Sequence, residues 1–282
     1  MIADFFLALV LALIQGLTEF LPVSSSAHLL LPSLIFGTKD FGIVFDISVH
    51  AGTLAAVIYY FKKEIQGLVQ AWKPWTNNRD QQNYLLGLNL LVATLPIIIF
   101  GLVFSDFTDS RFANTNSIAW TNLIFAVLLY LVFRASAQTK SLTELTLTAA
   151  LMIGCFQALA IFPGASRSGM AITGALLIGL NLKDTSKFAF LLSIPTILGA
   201  LILMFLKGAY SLELNDLLII LTGFFGSAFV AFFTIKSFLK FVEKIGMTPF
   251  VLYRVALGAV LLLLANDNFI LFWSKVNIVF MS

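Results

Sequence analysis

Charged residues are scarce in this sequence, since Asp, Glu, Lys and Arg make up 11% of its 282 residues, against about a quarter in an ordinary soluble domain. Cysteine occurs once, at Cys155, which excludes an intrachain disulfide and offers no redox motif. No basic stripe with interleaved aromatic residues is found, which argues against a nucleic-acid partner. Histidine occurs only at His28 and His50.

Hydrophobic residues dominate instead, at 60% of the chain, with a mean hydropathy of +0.98. Several runs approach the roughly 20 residues that a helix needs to cross a bilayer. The N-terminal run carries Asp4 and has no Lys or Arg before it, which argues against a cleaved signal peptide. We therefore expect an integral membrane protein with about six full spans: a run ending at Tyr60 and Phe61, then Leu85–Phe104, Ile118–Phe133, Phe188–Leu206, Leu217–Ile235 and Val251–Ala265.

Two polar stretches interrupt these apolar runs in a similar way. QGLTEFLPVSSSAH (residues 15–28) and IFPGASRSGM (residues 161–170) each contain a proline, a serine-bearing turn and the start of a short helix. Matching Pro22 with Pro163 pairs Ser25 with Ser166. The pattern predicts one membrane domain over residues 1–282 with two internal repeats, at about 1–134 and 145–266.

The loop charges predict how the repeats lie in the membrane, because cytoplasmic loops are enriched in Lys and Arg. They place residues 145–180 in a hairpin that enters from the cytoplasm, and residues 1–36 in one that enters from outside. The predicted fold is therefore an all-α polytopic membrane protein, with eight to ten hydrophobic helices and an inverted-topology repeat whose tips meet near the midplane. The tail, 266–282, is predicted at the outer interface or as a partial span. The cytoplasmic loops are those with Lys62, Lys63, Lys73 and Arg79, with Arg134 and Lys140, and with Lys236, Lys240 and Lys244; the outer loops carry Arg111 and Lys207.

The turn of each polar stretch, around Pro22 in the first and Pro163 in the second, is called its tip. Each tip ends where a short helix starts, and the unpaired backbone N–H groups and positive end of that helix favour an anion, phosphate especially. Arg167 adds a permanent charge that can hold phosphate oxygens in a bidentate manner. Helix capping explains any single serine, whereas the whole cluster beside an intramembrane arginine favours an anion site. The hydroxyl donors are Ser24, Ser25, Ser26, Ser166 and Ser168.

Glu19 and His28 flank the first tip. A carboxylate at that depth must be paired, protonated or bound to a cation, so Glu19 is either an ion-pair partner of Arg167 or a ligand for a divalent metal. Gln15 lies four residues earlier, on the same helical face. His28 lies three residues after Ser25, where the imidazole and the hydroxyl can hydrogen-bond as a base and a nucleophile. His50 is either a supporting group behind the site or a packing residue.

The two motifs, in this order in a polytopic chain, resemble those of the undecaprenyl pyrophosphate phosphatases, the bacitracin-resistance family of bacterial inner membranes. The resemblance implies removal of the terminal phosphate of a C55 isoprenyl pyrophosphate, which recycles the carrier lipid for peptidoglycan synthesis. It also implies dependence on a divalent cation, Mg²⁺ or Ca²⁺, and a site open to the periplasm. A homodimer is also compatible with the sequence.

The resemblance assigns roles to individual residues as well. Glu19 is implied to be metal-associated and catalytic. The motif of the family is Glu or Gln, three residues, then Glu; this chain has the version with Gln, at Gln15, and therefore one carboxylate. Ser25 and His28 are implied to be catalytic. Arg167 and Ser166 are implied to bind pyrophosphate, and the neighbouring hydroxyls of Ser24, Ser26 and Ser168 are grouped with them.

Three readings of this site stay open at the level of sequence. In the preferred one, Ser25 attacks the terminal phosphorus with help from His28 and forms a phosphoseryl intermediate; in the second, His28 activates a water that attacks directly. The third is transport, since inverted repeats with broken helices that meet at the midplane also build secondary transporters. A purely structural subunit gives no reason for Arg167 and Glu19 to lie at membrane depth.

Overall fold

The computed structural model describes residues 2–73, 80–104, 114–207 and 214–266. The predicted outer loop around Arg111, the basic residue Arg79 and the tail from residue 267 onward lie outside these ranges. The described chain is all-α, as the sequence predicts. Its helices are α1 (Ile2–Thr18), α2 (Ser25–Phe36), α3 (Ile43–Tyr60), α4 (Lys62–Ala71), α5 (Gln81–Val103), α6 (Thr115–Ala135), α7 (Leu147–Ala158), α8 (Arg167–Leu177), α9 (Leu182–Lys207), α10 (Leu214–Ile245) and α11 (Thr248–Leu264).

Five helices of the described chain are long and apolar enough to cross a membrane, namely α3, α5, α6, α9 and α10. They account for five of the six predicted spans. The sixth prediction coincides with α11, which is apolar but has only 17 residues, near the lower limit for a spanning helix. The chain is therefore a polytopic membrane protein.

Two helical hairpins form from shorter helices of 11 to 17 residues. The first pairs α1 with α2, and the second pairs α7 with α8. Each contains the polar stretch that the sequence predicts as a tip, followed by the predicted short helix. Each hairpin packs on a helix from the other predicted repeat: α1 of the first repeat packs on α10 of the second, and α7 of the second packs on α5 of the first. This reciprocal packing places both tips inside the helix bundle, where broken backbone is covered by protein.

Close backbone approach holds the hairpins in the bundle. A Cβ placed on Gly154 of α7 would lie 2.3 Å from the backbone oxygen of Ala93 in α5. A Cβ on Gly226 of α10 would lie 3.0 Å from the Cβ of Ala12 in α1. Small residues at such contacts let membrane helices approach closely, which fixes the depth of each tip.

Polar contacts connect segments that the loop charges place on one side of the membrane. Lys187 Nζ of α9 lies 3.2 Å from Glu64 Oε1 of α4. The backbone N–H of Lys140 donates to the carbonyl of Gly179 at 2.9 Å. The start of α9, helix α4 and the end of the second hairpin thus share one end of the molecule.

Candidate active site

Glu19 is the centre of the polar contacts between the two tips, and its side chain is only 3% exposed. Its Oε2 atom accepts hydrogen bonds from Gln15 Nε2 at 2.8 Å and from the Ser25 hydroxyl at 2.9 Å. Its Oε1 atom is paired with the guanidinium of Arg167 from the second tip. The carboxylate therefore joins a serine hydroxyl and a permanent cation at one buried point. Glu19 forms the ion pair with Arg167 that the sequence offers as one alternative, and its role as a metal ligand stays a prediction.

The second tip reaches the first through α8. Arg167 uses Nη2 for Glu19, whereas its buried Nη1 has no hydrogen-bond partner within the described ranges. Ser168 donates its hydroxyl to the carbonyl of Leu21 at 2.9 Å. The guanidinium thus holds the carboxylate through Nη2, and Arg167 also lines the cavity, where its permanent charge can attract an anion.

Ser24 and Ser166 occupy equivalent positions in the two hairpins. Each directly precedes a short helix and has a positive φ, 71° for Ser24 and 72° for Ser166, a conformation that is unusual for a residue with a side chain. Each hydroxyl lies 3.2 Å from that of the serine two positions later, Ser26 or Ser168. Such backbone outliers persist only where the surrounding structure enforces them, often at functional sites.

This equivalence corrects the register that the prolines suggest. Ser166 corresponds to Ser24 and not to Ser25, so Ser25 corresponds to Arg167. In the corrected register Glu19 corresponds to Ile161. Residues 15–28 and 157–170 then share five identities: Gln15 with Gln157, Leu17 with Leu159, Phe20 with Phe162, Ser24 with Ser166 and Ser26 with Ser168.

His28 does not form the predicted hydrogen bond with Ser25. Its Nδ1 atom lies 2.7 Å from the carbonyl oxygen of Ser24, and its Nε2 atom lies 2.7 Å from the hydroxyl of Tyr253 in α11. Both ring nitrogens are therefore occupied, while Ser25 donates to Glu19. The helical spacing is as predicted, but the imidazole turns toward the backbone of its own helix start and toward α11.

His50, from α3, is the histidine that lies beside the carboxylate. Its Nε2 atom is 3.8 Å from Glu19 Oε2, and its Nδ1 atom lies 2.8 Å from the carbonyl oxygen of Asp46. A carbonyl only accepts hydrogen bonds, so Nδ1 is the donor in this contact, and Nε2 is the ring nitrogen directed at the carboxylate. His50 thus lies at the site, whereas the sequence left it as a supporting or packing residue.

A cavity of about 640 Å³ opens over this cluster. Its polar wall includes Glu19, Ser25, His50 and Arg167. Its apolar wall is formed by Leu11, Leu29, Leu30, Ile43, Phe45, Ile161, Phe162, Leu203 and Met204. The volume is that of a small-molecule site, and the two kinds of wall suit an amphiphile with an anionic head.

The protein oxygen atoms at the site could supply only some of the ligands of a divalent cation. The described chain has no cluster of three or more His, Cys, Asp or Glu side chains that could hold a metal. Besides the Glu19 carboxylate, the buried Oε1 atom of Gln15 has no hydrogen-bond partner in the described ranges. An amide oxygen and a carboxylate are suitable ligands for Mg²⁺ or Ca²⁺. The remaining ligands have to come from substrate phosphates and water, as Mg²⁺ sites often arrange.

Comparisons with known proteins identify the family of this chain. The family model described as Bacitracin resistance protein BacA matches residues 8–260. The chain belongs to the BacA family. Curated relatives named undecaprenyl-diphosphatase are 45% identical over 258 residues in Saccharophagus degradans (91% of this chain, 96% of the relative) and 44% identical over 266 residues in Teredinibacter turnerae (92% and 98%). A third, in Alcanivorax borkumensis, is 44% identical over 260 residues (92% and 98%).

In this BacA-family chain, sequence reasoning missed Tyr253 and Arg254, which connect α11 to the tips. Arg254 is fully buried, and its guanidinium donates to the carbonyls of Gly164 and Ala165 at 3.1 Å each. The signal was present, because an arginine inside the predicted span Val251–Ala265 marks a functional position by the same criterion that singled out Arg167.

Proposed function

We propose that this protein hydrolyses undecaprenyl diphosphate to undecaprenyl phosphate and inorganic phosphate in the bacterial cytoplasmic membrane. This reaction recycles the carrier lipid for peptidoglycan synthesis and confers resistance to bacitracin. The observation that carries the proposal is the Glu19 carboxylate, which holds both the Ser25 hydroxyl and the Arg167 guanidinium inside a membrane-embedded cavity. The BacA-family relatives bear the name of this activity.

The cavity recognises the two parts of such a lipid separately. The diphosphate binds at the tips, where the Arg167 guanidinium, the serine hydroxyls and two helix starts donate to its oxygens. The first isoprene units lie along the apolar wall, next to Leu29 and Phe45. Phosphoryl transfer depends mainly on position and charge neutralisation, which the arginine and the helix ends provide.

Ser25 attacks the terminal phosphorus of the bound lipid. A bond forms between Ser25 Oγ and phosphorus, the bond from that phosphorus to the bridging oxygen breaks, and undecaprenyl phosphate leaves with the electron pair. The hydroxyl proton passes to Glu19 Oε2, which already accepts its hydrogen bond at 2.9 Å. Glu19 thus takes the role that the sequence assigned to His28.

Water then hydrolyses the phosphoseryl group. Its oxygen bonds to phosphorus, the Ser25 Oγ–phosphorus bond breaks, and the serine recovers the proton from Glu19. The proton of the water passes to Nε2 of His50, the ring nitrogen that lies 3.8 Å from Glu19 Oε2. His50 later releases this proton to solvent in the cavity. The net reaction consumes one water and yields one inorganic phosphate.

A divalent cation, Mg²⁺ or Ca²⁺, belongs to this proposal as well. Glu19 and the Oε1 atom of Gln15 are the protein oxygens that would hold it, together with phosphate oxygens. When bound, the cation neutralises charge on the diphosphate. Arg167 would neutralise a further part of the negative charge of the diphosphate.

The site opens to the periplasm in this proposal. Thr38–Phe41 form part of the cavity wall just before the start of α3. The basic residues Lys62 and Lys63 follow the opposite end of α3, and the loop charges predict that end in the cytoplasm. The homodimer stays a prediction.

A phosphatase assay in detergent tests the function. Purified protein with Mg²⁺ or Ca²⁺ should release phosphate from undecaprenyl diphosphate, whereas Arg167→Ala and His28→Ala proteins, and wild type with a chelator, should release less. No gradient exists in detergent, so that activity there cannot arise from transport. If wild type released no phosphate but moved the lipid in one direction across sealed vesicles, the enzymatic proposal would fail in favour of transport.

A further inference from the structure

Arg254 is a buried cation whose hydrogen bonds go to neutral groups. Its Nε donates to Asn122 Oδ1 at 2.9 Å, and Nη2 donates at 3.1 Å to the backbone oxygens of Asn122, Gly164 and Ala165. Its Nη1 is buried without a partner in the described ranges. A charge in this setting is costly and is kept where it has a function. Here the guanidinium donates hydrogen bonds to two backbone carbonyls of the turn that precedes α8.

Tyr253, the preceding residue, contacts the other hairpin. Its hydroxyl lies 2.7 Å from His28 Nε2, and its ring stacks on the imidazole with centroids 5.4 Å apart and planes 2° from parallel. The other ring nitrogen of His28 lies 2.7 Å from the carbonyl oxygen of Ser24. Tyr253 therefore reaches the start of α2 through one histidine.

The two connections end on opposite sides of two equivalent residues, Ser24 and Ser166. One ends on the carbonyl of Ser24, which has a φ of 71°. The other ends on the carbonyl of Ala165, in the peptide unit whose nitrogen belongs to Ser166, which has a φ of 72°. Adjacent residues of one helix thus hold both serines in their unusual backbone conformation.

We propose that Tyr253 and Arg254 are positioning residues that fix the two tips relative to each other, so that Ser25 and Arg167 face the same diphosphate. The proposal rests on the proposed function and deepens it. Tyr253 acts through His28 on the first tip, and Arg254 acts directly on the backbone of the second. Because neither side chain touches the phosphate, their loss should lower the rate at bound substrate more than it weakens binding of the lipid.

Tyr253→Phe removes one hydroxyl and keeps the ring. We expect the kcat for undecaprenyl diphosphate in detergent to fall roughly 2- to 10-fold, which corresponds to the loss of one net hydrogen bond, with a smaller change in KM. Tyr130→Phe in α6 is the matched control, because Tyr130 is also partly exposed in an apolar helix and lies outside the site; its kcat should stay at the wild-type value. Thermal unfolding in detergent should be close to wild type for both.

A double-mutant cycle separates positioning from general stability. If Tyr253 acts through His28, Tyr253→Phe should lower kcat in wild type but add nothing in a His28→Gln protein, because contacting residues in one network are not additive. Full additivity, or a wild-type kcat for Tyr253→Phe, would overturn the role of Tyr253. In every case wild-type turnover is measured first, so that failure of the proposed function is seen as an inactive wild type.

Arg254→Lys tests the second connection. It keeps the charge but cannot donate to several carbonyls in one plane, so kcat should fall at least as far as in Tyr253→Phe. A wild-type kcat for Arg254→Lys would overturn the role of Arg254. If this protein does not fold, Asn122→Leu, which removes the side-chain oxygen that accepts from Arg254 Nε, gives the second measurement: a lowered kcat with an unfolding temperature near wild type supports positioning, and an unchanged kcat contradicts it.

Discussion

The guanidinium of Arg167 contacts the carboxylate of Glu19 across the junction of the two hairpins. The contact joins residues separated by 148 positions in the chain, and the same carboxylate accepts the Ser25 hydroxyl. In the proposed function, substrate binding and nucleophile activation both depend on the Glu19 side chain, which makes the pair the first target for mutation.

Arg167→Met should reduce both stability and activity. Breaking a buried pair by removing one partner costs about 3–5 kcal/mol, and loss of a charged donor at a phosphate lowers kcat by about 10²- to 10³-fold. Thermal unfolding and phosphate release measure the two effects. Lys187→Met is the control, since its pair with Glu64 is about one third exposed and such pairs contribute no more than about 1 kcal/mol. Equal losses in the two variants would contradict the special position of Glu19.

Ser25→Ala should abolish turnover if the hydroxyl is the nucleophile. The neighbouring Ser26→Ala removes a hydroxyl that lies 3.2 Å from that of Ser24 and should cost far less. Rapid acid quench of wild type with substrate labelled in the terminal phosphate should trap the label on Ser25, as mass spectrometry of the peptide can show. Near-normal turnover of Ser25→Ala would remove the serine from the chemistry and leave direct attack by water.

The two histidines should affect different steps. His50→Gln removes the proton acceptor beside Glu19, so the phosphoseryl form should accumulate while a first burst of undecaprenyl phosphate is still released. His28→Gln disturbs the hydrogen bonds to Ser24 and Tyr253, so formation of that species should slow and none should accumulate. Single-turnover kinetics with labelled substrate distinguish these patterns. Accumulation in His28→Gln and not in His50→Gln would reverse the assignment.

Cation dependence should respond to Gln15. A Gln15→Glu protein places a second carboxylate beside Glu19, and carboxylates bind hard cations more tightly than amides do. The Mg²⁺ concentration for half-maximal phosphate release should therefore fall, and Gln15→Leu should raise it. Titration of chelated protein with Mg²⁺ measures the change. An unaltered requirement in both variants would exclude Gln15 as a ligand.

Packing of α3 on α10 should tolerate no side chain at Gly52. A Cβ there would lie 2.2 Å from both the backbone oxygen of Phe224 and Ser227 Oγ, so Gly52→Ala should destabilise by about 1–3 kcal/mol through overpacking. Gly101 in α5 has no atom of the described chain within 4 Å of such a Cβ. Gly101→Ala should therefore be neutral or gain up to about 1 kcal/mol from helix propensity. Unfolding temperatures in detergent compare the two.

The spans could be read from the sequence because length and apolarity are local properties. The tips could be located for the same reason, but the two tips could not be aligned correctly with each other. When the equivalent serines are superimposed, the two prolines differ in position by one residue. The partner of His28 could not be found, because Tyr253 is 225 positions away. The choice between the histidines likewise depended on how α3 packs against the first tip, which no local pattern specifies.

The corrected register has a consequence for how the two hairpins meet the substrate. Ser24 and Ser166 share a backbone conformation, yet in this register Glu19 corresponds to Ile161 and Ser25 corresponds to Arg167. The groups of the two hairpins are therefore not interchangeable. In the proposed function a bound diphosphate meets a carboxylate and a nucleophile from the first hairpin and a cation from the second.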